Sequence, residues 1–108
     1  MAYVIVWEFR VRPGMQTQFE EAYGFQGEWV RLFQQDPAYI RTELIQDVHE
    51  ANRYLTLDFW ASEAGYAAFR ESRKDEYKSM DARCEQMTEA EREVGRFRRP
   101  DAGFGEKK

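Results

Sequence analysis

At 108 residues, with 43% hydrophobic and 33% charged side chains, the chain has the composition of one globular domain that buries roughly two-thirds of its unfolded surface. A formal net charge of −4 argues against a duplex DNA binder that works by neutralising phosphates, so no nucleic acid partner is expected. A single cysteine, Cys84, excludes an intrachain disulfide, and one cysteine with one histidine, His49, cannot build a four-ligand zinc site within the chain.

Along the chain, Tyr3, Ile5, Trp7, Phe9 and Val11 alternate with Val4, Val6, Glu8, Arg10 and Arg12, the period-two signature of a strand with one wholly apolar face. Pro13-Gly14 ends it. From Thr17 to about Gln35, the residues Phe19, Ala22, Tyr23, Gln26, Trp29, Val30 and Phe33 recur at helical spacing until Asp36-Pro37. Gly24 and Gly27 weaken that helix, each by about 1 kcal/mol relative to alanine, which predicts close packing or a bend.

Tyr39–Asp47 and Arg53–Trp60 read as two strands joined by the short polar loop Val48–Asn52, a hairpin. At Trp60 the alternation stops. Ser62 supplies an N-cap hydroxyl and Glu63 complements the positive end of a second helix, predicted from Glu63 to about Met87. Its inward stripe is Tyr66, Phe69, Arg73, Tyr77, Met80, Cys84 and Met87, while Arg70, Lys74 and their acidic neighbours read as a solvated face. Glu93–Arg98 is a weak fourth strand, and residues 100–108 read as a flexible C-terminal tail on a domain spanning 1–99. A leader segment and an apolar run of about 20 residues are both missing from the pattern, so no membrane contact and a cytoplasmic location are expected.

The order strand, helix, strand, strand, helix, strand is the ferredoxin-like βαββαβ arrangement of the α+β class: a four-stranded antiparallel sheet with its helices on one face. The alternation assigns Glu8, Arg10, Arg41, Glu43, Thr56, Asp58 and Trp60 to the opposite face, where mixed charges and large aromatics suit a paired sheet. Asp58 reads as the partner of Arg10 or Arg41, an arrangement that would lower its pKa; burial would raise it.

The opening strand closed by Pro13-Gly14, the long first helix, the hairpin, and the strand ending in Trp60 before the Ser62-Glu63-Ala64 helix start resemble the antibiotic-biosynthesis monooxygenase superfamily from about Tyr3 to Arg98. The resemblance implies a homodimer in which two sheets face one another as a dimeric α+β barrel. It also implies a cofactor-independent monooxygenase, or a related small enzyme, acting on an aromatic metabolite without metal or flavin. The alternative is a non-catalytic ligand-binding or accessory barrel. The haem-degrading branch of the superfamily uses an asparagine on the first strand and a histidine on the second helix; Trp7 and approximately Ser79 stand there in this chain, which argues against that chemistry. Many members place a histidine about nine residues after the strand-ending tryptophan, where this chain has Phe69, so a general base of the usual kind is missing.

Cofactor-independent oxygenation asks the protein to bind an electron-rich ring, stabilise its anion and exclude water. The aromatic share of 16% suits a lined core or pocket. Tyr66, Tyr77 and Arg73 are the candidate catalytic groups, as hydrogen-bond donors and oxyanion partner. Trp7, Tyr23, Trp29 and Phe69 are the candidate substrate-binding groups. Every one of these residues also suits ordinary core packing or a surface ion pair.

Overall fold

The period-two segments pair edge to edge, and the order in which they pair decides which side chains meet. In the computed structural model, which describes residues 2–100, strands β1 (Tyr3–Val11), β2 (Tyr39–Gln46), β3 (Arg53–Trp60) and β4 (Thr88–Arg98) form one antiparallel sheet in the order β2-β3-β1-β4. This is the expected ferredoxin-like α+β sheet. The candidate tail, residues 100–108, lies almost wholly outside the described residues.

The register sets Tyr3 opposite Trp60, Ile5 opposite Asp58, Trp7 opposite Thr56 and Phe9 opposite Tyr54. Residues directly opposite in a ladder share a face. Thr56, Asp58 and Trp60 therefore lie on the helix-covered side, not the far side expected from alternation. The error has a physical source: β3 alternates Leu55, Leu57 and Phe59 with Tyr54, Thr56, Asp58 and Trp60, and both sets are apolar enough to be buried. On β2, an irregularity between Tyr39 and Arg41 brings Thr42 opposite Asp58 and keeps Arg41 and Glu43 on the far face, as expected. β4 begins five residues earlier than expected, because an edge strand tolerates the charged run Glu89 to Arg92 that masks its pattern.

Both long helices are divided. The first becomes α1 (Gln16–Tyr23) and α2 (Glu28–Phe33), hinged at Gly24–Gly27. A Cβ on Gly27 would lie 2.3 Å from the Ala22 carbonyl oxygen and 2.4 Å from that of Glu21, so the chain there doubles back too tightly for any side chain. The second becomes α3 (Glu63–Ser72) and α4 (Lys74–Cys84), broken at Arg73 (φ −119°, ψ 25°) and followed by a 3₁₀ turn at Glu85–Met87. The predicted cap is present: Ser62 Oγ accepts from the Gly65 amide at 3.0 Å.

The aromatic excess builds the core as a continuous run of ring contacts. Phe9 meets Phe19 at 5.1 Å between ring centres, Phe19 stacks on Tyr23 at 4.3 Å, and Tyr23 meets Trp29 at 5.9 Å. From Trp29 the run continues through Phe33 to Trp60 and Phe69, the last two wholly buried. Among the described residues, no helix covers the far face of the sheet. Val4, Val6, Leu55 and Leu57 are only partly buried there, and Phe97 is 51% exposed.

Candidate active site

Between the sheet and the helices the packing leaves a cleft. β1 contributes Trp7 and Phe9, β2 Thr42, β3 Thr56 and Asp58, and β4 Glu91. The helices close it with Tyr23 of α1, Trp29 and Phe33 of α2, and Tyr77 and Asp81 of α4. The centre of a water molecule can reach only about 30 Å³ between these side chains. The cleft is narrow, and an aromatic ligand enters it only with a shift of its lining.

Asp58 is the central polar group. Its side chain is buried, and Oδ1 accepts a 2.8 Å hydrogen bond from the Thr42 hydroxyl, which in turn accepts one of 2.8 Å from Tyr39. The expected arginine partners lie elsewhere. Arg10 pairs with Glu50, and Arg41 pairs with Glu43 and lies 3.9 Å over the Phe59 ring on the far face. Burial without a counter-charge pushes the Asp58 pKa up to about 7, against a smaller downward pull from the Thr42 hydroxyl. A carboxylate near that value is balanced between holding and taking a proton at neutral pH.

Two further carboxylates enter the cleft from its other side. Burial raises the pKa of both Asp81 and Glu91; Glu85 adds to the rise at Asp81, and Asp81 to the rise at Glu91. Burial also drives the phenols of Tyr23 and Tyr77 far above their ordinary value, so both are hydrogen-bond donors at any physiological pH.

Of the sequence-predicted residues, Trp7, Tyr23, Trp29 and Tyr77 line the cleft. Tyr66 and Phe69 lie in the adjoining core, 5.1 and 4.9 Å from the Trp60 ring. Arg73 sits at the break between α3 and α4, with its guanidinium 3.1 Å from Glu76, and does not line the cleft. Arg70, read from sequence as a solvated charge, turns inward instead. It stacks 3.8 Å over the Tyr77 ring and donates to the Tyr66 hydroxyl at 2.9 Å. The signal for Arg70 was present in the sequence, since it lies one helical turn after Tyr66. Asp81 and Glu91 carried no comparable signal, and Thr42 owes its place to the β2 irregularity. Among the described residues, no three His, Cys, Asp or Glu side chains converge as metal ligands. Nor is any helix among them long and apolar enough to cross a membrane.

A ferredoxin-like sheet with an aromatic, carboxylate-bearing cleft under its helices defines the class of protein. The model of the antibiotic biosynthesis monooxygenase family matches residues 2–83, and the chain belongs to that family. Among solved structures, SnoaB of Streptomyces nogalater, a cofactor-independent oxygenase, superposes with a TM-score of 0.74 at 14% identity, covering 93% of this chain and 94% of its own. A Bordetella bronchiseptica protein assigned by name to the same family gives 0.74 at 14% identity, covering 92% and 97%. A Nitrosomonas europaea protein, likewise assigned, gives 0.64 at 18% identity, covering 86% of each chain. These likenesses establish the fold. No functionally curated protein matches the chain by sequence.

Proposed function

We propose that the protein is a monooxygenase that oxidises an electron-rich aromatic, a phenol or hydroquinone, in the cleft beneath the helices. The observation that carries the reading is Asp58, a buried carboxylate with no cationic partner among the described residues, held by Thr42 against the lining of an aromatic cavity. Family membership and the likeness to a cofactor-independent oxygenase support it.

In this reading Asp58 takes the phenolic proton. The phenolate then passes one electron to dioxygen, and the resulting radical pair closes a bond from ring carbon to oxygen, giving a hydroperoxide. Loss of water from that hydroperoxide, with the ring hydrogen, leaves a quinone, so phenol and dioxygen become quinone and water. Tyr77 donates to the developing phenolate, and Arg70 over its ring raises the acidity of that donor. Trp7, Tyr23 and Trp29 hold the ring plane and keep water out. Tyr66 orients Arg70, Phe69 backs the wall through Trp60, and Arg73 has no part in the step.

The test is oxygen uptake with 1-naphthol and a panel of hydroquinones, using isotopically labelled dioxygen. The expected product carries one labelled oxygen in the naphthoquinone and the other in water, with a rate that rises as Asp58 ionises through about pH 7. Turnover that persists unchanged in Asp58→Asn overturns the assignment. The narrowness of the cleft favours a second reading, a binding or accessory protein whose aromatic residues serve packing. Ring binding without oxygen uptake across the panel would establish it.

We also infer a homodimer joined through the far face of the sheet. Partly buried Val4, Val6, Leu55 and Leu57 beside exposed Ile45 and Phe97 form an apolar surface that water covers poorly. Light scattering should give twice the chain mass at micromolar concentration, and Phe97→Asp should shift it towards the monomer.

A further inference from the structure

The cleft is charged as well as aromatic, and its charge has one sign. Asp58, Asp81 and Glu91 all line it, while among the described residues no lysine or arginine does. The Arg70 guanidinium lies over the Tyr77 ring and pulls the Asp81 pKa down against the larger effect of burial. The sheet register separates the carboxylates. Asp58 stands opposite Ile5 on one side of β1 and Glu91 opposite Phe9 on the other, four residues along, or about 13 Å of strand. Asp81 approaches the Glu91 side from α4.

Polar atoms in this lining are left unmet. Glu91 Oε1 is wholly enclosed and meets no donor among the described residues. Asp58 is 8% exposed and, among the described residues, makes one hydrogen bond, through Oδ1, and no ion pair. The indole of Trp29, 6% exposed, stands beside Tyr23 and Cys84 in the same wall. Buried carboxylates without a counter-charge are costly to keep, and aromatic ring faces beside them attract cations.

We propose that the ligand of this cleft is an aromatic ring bearing a protonated amine, with the ammonium held by Asp81 and Glu91 and the ring hydroxyl at Asp58. The proposal rests on the aromatic-ligand reading above and adds to it the charge of the substrate. Trp7 and Trp29 then face the ring and its cationic arm, and the enclosed Glu91 oxygen gains the donor it lacks. A neutral tail in the same position would leave Glu91 Oε1 without a donor, and an anionic one would add like charge beside both carboxylates.

Three phenols that differ only in their tails test it: tyramine, 4-ethylphenol and 3-(4-hydroxyphenyl)propanoate, titrated into the full chain at pH 8 with tryptophan fluorescence and proton NMR as readouts. Tyramine should bind about tenfold more tightly than 4-ethylphenol, with the carboxylate the weakest. The double variant Asp81→Asn with Glu91→Gln should erase that preference while leaving 4-ethylphenol binding in place. Equal binding of tyramine and 4-ethylphenol, or preference for the anion, overturns the charge inference and leaves the aromatic cleft standing. Absence of binding by all three phenols overturns both.

Discussion

Asp58→Asn separates the cost of the buried carboxylate from its use. In the folded chain the Asp58 pKa is raised from 3.8 to about 7, chiefly by burial. Below about pH 3.8 both folded and unfolded chains hold the proton, and the carboxyl carries no penalty. Between the two values the folded state retains a proton that the unfolded state has released, so the stability contributed by this group declines as pH rises. Above about pH 7 the loss is complete, on the order of 4 kcal/mol for a displacement of this size. Asparagine preserves the oxygen that accepts from Thr42 and removes the charge. The variant should therefore match the wild type near pH 4 and exceed it at pH 8 by up to about 4 kcal/mol, a rise of about 2 M in the urea midpoint. Urea unfolding at four or five pH values measures the difference directly, and subtracting the two curves cancels the titration of every other group. A difference that is flat with pH, or that favours the wild type at pH 8, would refute the reasoning. A stabilised variant that no longer turns over would mark Asp58 as a group held at the expense of stability for its chemistry.

Trp60→Ala should cost about 3–5 kcal/mol in chemical denaturation, since Trp60 is fully buried and its ring touches Phe33, Tyr39, Tyr66 and Phe69. Gly27→Ala should cost about 1–3 kcal/mol because the obstructing atoms are backbone oxygens; unchanged stability would show that the hinge relaxes freely. Asp47→Asn should weaken the chain's response to acid. The backbone amide of His49, then the Arg53 side chain, hold the Asp47 pKa down at about 2, so its stabilising contribution is present above the unfolded value of 3.8 and is lost as pH falls towards 2. A thermal melt series from pH 5 to pH 2 with a smaller decline in the variant than in the wild type is the expected result.

Period and punctuation were legible in the sequence because they are local. The alternation of β1, the Ser62 cap, the Pro13-Gly14 turn and the glycines that divide the first helix each act over a few residues. Together they determine a βαββαβ chain and its sheet. The aromatic wall of the cleft was legible too, since Trp7, Tyr23, Trp29 and Tyr77 carry their facing in their spacing. The polar half of the site was not. Which face of β3 turns inward depends on its pairing with β1, and that pairing sets Asp58 opposite Ile5 and beneath the helices although Leu55 and Leu57 make the other face the more apolar. The irregularity in β2 brings Thr42 to Asp58 across a neighbouring strand, and the early start of β4 carries Glu91 into the cleft. The break at Arg73 leaves that residue paired with Glu76 while Arg70 stacks on Tyr77. Local patterns specify elements and their apolar faces, whereas the environment of a charge is a sum over strands and helices distant in sequence. Only the assembled sheet and helices decided that a carboxylate expected to meet an arginine is instead buried without one.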